Sequence, residues 1–116
     1  FHAAALQADG DETLRTSLAD IVRRYDWPKP FNIRTLRNKF VERWQGNEEE
    51  LKSVADMEVE KFQQAWVDGD ADNSAVVVSE SIGLIHTIEP VEVVMSNLIQ
   101  QAEATIHQVA GWIRSP

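Results

Sequence analysis

The chain of 116 residues carries 11 Lys and Arg against 19 Asp and Glu, a net charge of −8, and has no cysteine. One domain of this size buries roughly two-thirds of its unfolded surface, so a hydrophobic fraction of 43% with four Trp is enough for a packed core and excludes intrinsic disorder. The acidic balance speaks against nucleic acid and anionic membrane as partners, and the missing thiols exclude disulfides, Cys-ligated zinc and a cysteine nucleophile.

In chain order the pattern is helical and punctuated. Asp9 and Glu12 stand at capping-box spacing, and Leu14, Leu18, Ile21, Val22 and Tyr25 then fall on one face of an expected helix. Trp27-Pro28-Lys29-Pro30 stops it, since a residue before proline is pushed out of the helical region. Asn32 is placed to cap a second helix with the apolar face Ile33, Leu36, Phe40, Val41 and Trp44, ended by Gly46. A third starts at Asn47, where Glu48, Glu49 and Glu50 suit the positive end of the helix dipole, and runs through Leu51, Val54, Ala55, Phe62, Ala65 and Trp66 to Gly69. From Ala75 to Ile88 the β-branched run Ala75-Val76-Val77-Val78 competes with the helical spacing of Val78, Ile82 and Ile85, and helix is favoured. Pro90 suits the first turn of a last helix carried by Val94, Leu98, Ile99, Ala102, Ile106, Val109 and Ile113. The fold class expected is mainly α, with no internal repeat.

The stretch Asp68-Gly69-Asp70-Ala71-Asp72-Asn73-Ser74 begins like a calcium loop, with carboxylates at alternate positions. Asn73 stands where the sharp turn wants Gly, and Ser79 stands where the bidentate Glu belongs, so the stretch is expected to be a solvated turn and no metal is assigned. His2, His86 and His107 share no ligand spacing, and His86, inside an apolar stretch, is expected to be a packing histidine. Ser79 and Ser81 lack a nucleophile elbow, and no glycine-rich phosphate loop exists, so no catalytic or cofactor-binding residue is assigned. The apolar runs are too short for a membrane span or signal peptide, and the thiol-free composition fits a cytoplasmic location.

The order and spacing of Asp20-Ile21-Val22-Arg23, Trp27-Pro28, Leu36-Arg37-Asn38-Lys39-Phe40 and Glu42-Arg43-Trp44 resembles the C-terminal region of the nitronate monooxygenase family, the 2-nitropropane dioxygenases. The resemblance extends through Asp9 to Ser17 and Gly69 to Val94, most of the chain. It implies that residues 1–116 are the helical region following the last strand of an FMN-binding (β/α)₈ barrel. The barrel itself, with the flavin site and the family's histidine, would lie upstream of Phe1, which fits a chain that opens without Met. The parent would oxidise alkyl nitronates with dioxygen to a carbonyl compound and nitrite, and this segment alone would not. Three positions depart from the family: it usually has Gly where Arg24 stands, His where Gln45 stands, and a run of small residue, Gly and acid or amide where Val78-Ser79-Glu80 stands.

Within this picture Arg37 and Asn38 are the site candidates. Arg37 either shapes an anion-friendly active-site mouth or joins this region to the barrel of the same chain, the joining role being favoured. The apolar face of Ile33, Leu36, Phe40 and Trp44 is expected to cover that barrel. Two other functions stay open: a stand-alone acidic helical protein-interaction module, and a flavin barrel running enoyl-reductase-like hydride transfer.

Overall fold

The structure, a computed structural model, describes residues 1–114, Arg114 by its backbone alone. Two compact units divide the chain, Phe1–His86 and Thr87–Pro116. The first is mostly helical around a small sheet. Its elements are helix α1 (His2–Gln7), a 3₁₀ turn (Gly10–Glu12), strand β1 (Thr13–Thr16), α2 (Leu18–Arg23), β2 (Ile33–Leu36), α3 (Lys39–Trp44), α4 (Glu48–Ser53), α5 (Ala55–Asp68) and a second 3₁₀ turn (Glu80–Leu84). The second unit holds one long helix, α6 (Val91–Arg114), which Pro90 opens by accepting the Val93 N–H at 3.0 Å.

The expected helix from Leu14 to Tyr25 is instead a strand followed by a short helix. The capping box forms, with the Asp9 N–H donating to Glu12 Oε2 at 2.8 Å, but it closes a 3₁₀ turn rather than a long helix. Thr13 then begins an antiparallel ladder with β2, in the register Thr13 to Leu36 and Thr16 to Ile33. The Thr16 hydroxyl accepts the Leu18 N–H at 3.1 Å, so α2 starts one turn later than the apolar spacing suggests. Ile33 to Leu36, expected in a second helix, is the partner strand, and Asn38 rather than Asn32 caps the helix that follows.

Two further expectations fail for the same reason. Residues 75–78 are extended beside β2, where Leu36 donates its N–H to Val76 and Val78 donates to Arg34. Only Glu80–Leu84 coils, as a 3₁₀ turn capped by the Ser79 hydroxyl on the Ser81 N–H, and His86 is exposed rather than packed. The face that was to cover a barrel is also consumed internally. Leu36, Phe40 and Trp44 are buried within this unit, and the Phe40 and Phe62 rings meet edge to face at 5.1 Å.

The core joins Leu18, Ala19 and Val22 of α2 with Phe40, Val41 and Trp44 of α3, Leu51 of α4, Phe62 of α5, and Ala75. The expected third helix breaks at Val54 into α4 and α5, and α5 ends as expected at Gly69, whose left-handed φ of 72° lets its N–H bond back to Ala65 and Trp66. Two buried carboxylates are paired within their own helices: Asp20 with Arg23 at 3.0 Å, and Glu58 with Lys61 at 2.5 Å.

Arg24 closes α2 in the same left-handed conformation, at φ 59°, the region where a Cβ is penalised. Its ion pair with Asp56 joins two exposed side chains and adds little. Arg24→Gly is therefore expected to stabilise the chain by about 1 kcal/mol. Urea unfolding measures this, and a loss of stability would show that the ion pair outweighs the backbone strain.

Candidate functional site

The strand-to-helix junction that carries Arg37 and Asn38 is built from both ends. Pairing with β1 and residues 76–78 holds β2 extended to Leu36, and the Arg37 N–H donates to the Glu12 carbonyl at 2.7 Å. The chain then turns into α3 because Asn38 Oδ1 accepts the Val41 N–H at 3.0 Å, a helix N-cap. Asn38 is 8% exposed, and its amide nitrogen donates to the carbonyls of Ala71 and Ser74 at 2.7 and 2.6 Å.

These neighbouring candidates do different jobs. Asn38 has every side-chain atom committed inside the fold, so it clamps rather than recognises. Arg37 projects outward, with one long hydrogen bond of 3.4 Å to Gln45 Oε1. The cavity beside the pair, of about 330 Å³, also has Gln7, Glu12 and Asp72 in its wall. An exposed guanidinium that shares its cavity wall with Glu12 and Asp72 suits a hydrogen-bonding surface contact better than a bare anion.

The acidic turn takes its place here. The Asp70 carboxylate accepts the Asn73 side-chain amide at 2.8 Å and the backbone N–H groups of Asp72 and Asn73. The Asn73 amide first, then the Asp72 N–H, hold its pKa below the ordinary carboxylate value. Asp72 pairs with Lys39 at 2.6 Å, which raises the lysine's pKa. The turn thus presents the Ala71 and Ser74 carbonyls to Asn38 with its acids already partnered. Among the described residues no group of three or more His, Asp or Glu is arranged to hold a metal ion. Calcium is expected to leave the melting temperature unchanged; a rise of several degrees at sub-millimolar ion would reinstate a calcium loop, since a ligand of the native state must stabilise it.

A second surface feature was not singled out in the sequence. Trp27 and Phe31, in the connection between α2 and β2, are 55% and 67% exposed and flank an apolar cleft of about 390 Å³ with Pro28 and Ile33. Its signal was the pair of aromatics that brackets Pro28 and Pro30; Trp27-Pro28 served above as a helix stop and as part of the family resemblance. Nearby, the Arg23 guanidinium lies 5.0 Å from the Tyr25 ring centroid.

Gly10 and Gly83 serve close backbone packing between the two 3₁₀ turns, and Gly46 and Gly69 end helices. Ser79 and Ser81 bond each other at 2.8 Å, and His2 and His107 are exposed.

No family model matches the chain, and no curated protein matches it. Among solved structures it is similar to FabK from Thermotoga maritima, at 24% identity and a TM-score of 0.70, over 95% of this chain and 33% of that one. A single-substitution mutant of the same FabK aligns at 22% identity and 0.63, over 95% of this chain and 30% of the mutant's. The chain therefore spans about a third of the length of these neighbours, and the likeness establishes the fold.

Proposed function

We propose that this chain is the C-terminal helical region of a cytoplasmic flavin-dependent oxidoreductase, with FMN held on a (β/α)₈ barrel outside these 116 residues. The observation that carries the reading is that nearly the whole chain superposes on one third of a FabK chain three times its length. The sequence resemblance points to the same kind of barrel flavoprotein independently, through residues the structure explains as fold-bearing. Val22, Phe40 and Trp44 are core, Asp20 and Arg23 pair within α2, and Asn38 clamps the junction. Such residues specify an architecture rather than a reaction.

The reaction we assign to the parent is oxidation of an alkyl nitronate by dioxygen to a carbonyl compound and nitrite. FMN would supply the redox chemistry when bound, and this chain would supply support for the barrel and, through Arg37, a polar contact at the joint. The likeness to FabK favours a second reading, hydride transfer of the enoyl-reductase kind on the same scaffold.

The test compares the full-length parent with the 116-residue chain. The parent is expected to purify yellow with stoichiometric FMN, the short chain colourless. Nitrite formed from an alkyl nitronate in air supports the first reaction, and pyridine-nucleotide-dependent loss of an enoyl thioester double bond supports the second. Stoichiometric FMN on the short chain, or a parent without flavin, would overturn the proposal.

A further inference from the structure

We propose that the cavity between the end of α2 and α5 binds a phosphate monoester carried on a flat aromatic body, the chemistry of a nucleoside monophosphate, with Arg23 and Arg24 taking the phosphate. The proposal is independent of the reaction assigned to the parent. The cavity, of about 710 Å³, is walled from the first unit alone, by Arg23, Arg24 and Tyr25 at the end of α2 and by Val59, Trp66 and Val67 of α5 among others. A volume of that order suits a nucleotide-sized ligand. Among the described residues its wall holds two arginines and no carboxylate, in a chain whose net charge is −8. The local charges govern a ligand seated there, because exposed charges more than about 8 Å away are largely screened at physiological salt.

The two arginines are prepared differently. Arg23 is held: its Nε donates to the Ala19 carbonyl at 3.1 Å, its Nη2 to Asp20 Oδ1 at 3.0 Å, and its guanidinium lies against the Tyr25 ring. Its Nη1 has no partner among the described residues, so oriented donors remain for a ligand. Arg24 is exposed and strained. It keeps a left-handed φ of 59°, which glycine adopts freely and a residue with a Cβ does not. Its ion pair with Asp56 joins side chains 67% and 81% exposed, a contact too weak to offset the strain. Strain that the fold does not require is characteristic of functional positions. A phosphate would draw Arg24 from Asp56 at small cost and match its planar fork, with the Nη1 donors of Arg23 on a second oxygen. The carbonyl end of α2 works against an anion, but the Ile21 and Asp20 carbonyls there already accept the Arg24 and Tyr25 N–H groups at 3.1 and 2.9 Å. Trp66, half-buried and meeting the Phe1 ring at 5.0 Å, stands with Val59 and Val67 as the surface on which the aromatic body would lie.

Calorimetric titration of the full-length parent with adenosine monophosphate at physiological salt tests the site. Adenosine and inorganic phosphate are each expected to bind about tenfold more weakly or worse. Arg24→Gly is expected to weaken the nucleotide by about tenfold while the ligand-free protein melts no lower, which separates loss of the site from loss of the fold. Arg24→Lys keeps the charge without the fork and should recover only part of the affinity. Trp66→Ala should weaken binding severalfold, and Trp27→Ala, outside this cavity, should not. An affinity indifferent to Arg24→Gly would overturn the proposal, including the case in which the nucleotide is held elsewhere on the parent. So would the absence of measurable binding, or inorganic phosphate bound as tightly as the nucleotide, since the aromatic body would then contribute nothing. Flavin is scored separately: a colourless parent that binds the nucleotide through Arg24 would sink the flavin reading and keep this site.

Discussion

Asn38→Ala is expected to destabilise the chain by about 3 kcal/mol, made up of about 1 for the lost N-cap and about 1 for each of two carbonyls left without their donor. All three bonds are short and the residue is buried, so water has poor access to replace them. For a unit of 86 residues this corresponds to a drop in melting temperature of at least 12 °C or so. Asn38→Asp is the sharper variant. It keeps an oxygen for the Val41 N–H but aims a carboxylate at the Ala71 and Ser74 carbonyls, so it should be no better than alanine. Arg37→Ala, one residue away, removes an exposed side chain with one 3.4 Å contact and should change stability by less than about 0.5 kcal/mol. Thermal and urea unfolding of the three variants measure this. An Arg37 effect as large as that of Asn38 would mean that the roles assigned at the junction are reversed.

Gly10→Ala is expected to cost about 1–3 kcal/mol, the range for forcing an extra methyl into a packed place. A Cβ at Gly10 would lie 2.5 Å from the Glu80 carbonyl oxygen, a backbone atom that cannot rotate away. Across the same contact, a Cβ at Gly83 would come within 2.9 Å of Asp9 Oδ1 and 3.3 Å of the Gly10 nitrogen. The two 3₁₀ turns therefore pack backbone to backbone, and Arg34 reinforces the joint by donating to Thr13 Oγ1 at 2.8 Å and to Glu80 at 3.1 Å. Gly69→Ala makes the useful contrast: its Cβ would meet nothing within 4 Å, so any loss there reports the left-handed backbone alone. An unchanged midpoint for Gly10→Ala would show that the turns can separate without penalty.

Features that depend on a few neighbouring residues were legible without coordinates. The capping box of Asp9 and Glu12, the stop at Gly69, the entry to α6 at Pro90 and the Asp70 turn were each visible in the sequence, because a cap or turn is closed by side chains within a few positions of the backbone they serve.

What the sequence by itself determined, then, is a mostly helical acidic region with its punctuation marked. Only the tertiary structure decided that Thr13–Thr16 and Ile33–Leu36 are strands, that residues 75–78 lie extended beside them, and that Leu36, Phe40 and Trp44 face inward. Leu14 and Leu18 satisfy helical spacing, but ladder bonds between residues some twenty positions apart outweigh a preference worth only tenths of a kcal/mol per residue. The split between Arg37 and Asn38 has the same origin. Adjacent in sequence, they part because the carbonyls that capture Asn38 arrive from more than thirty residues downstream, while Arg37 stays exposed.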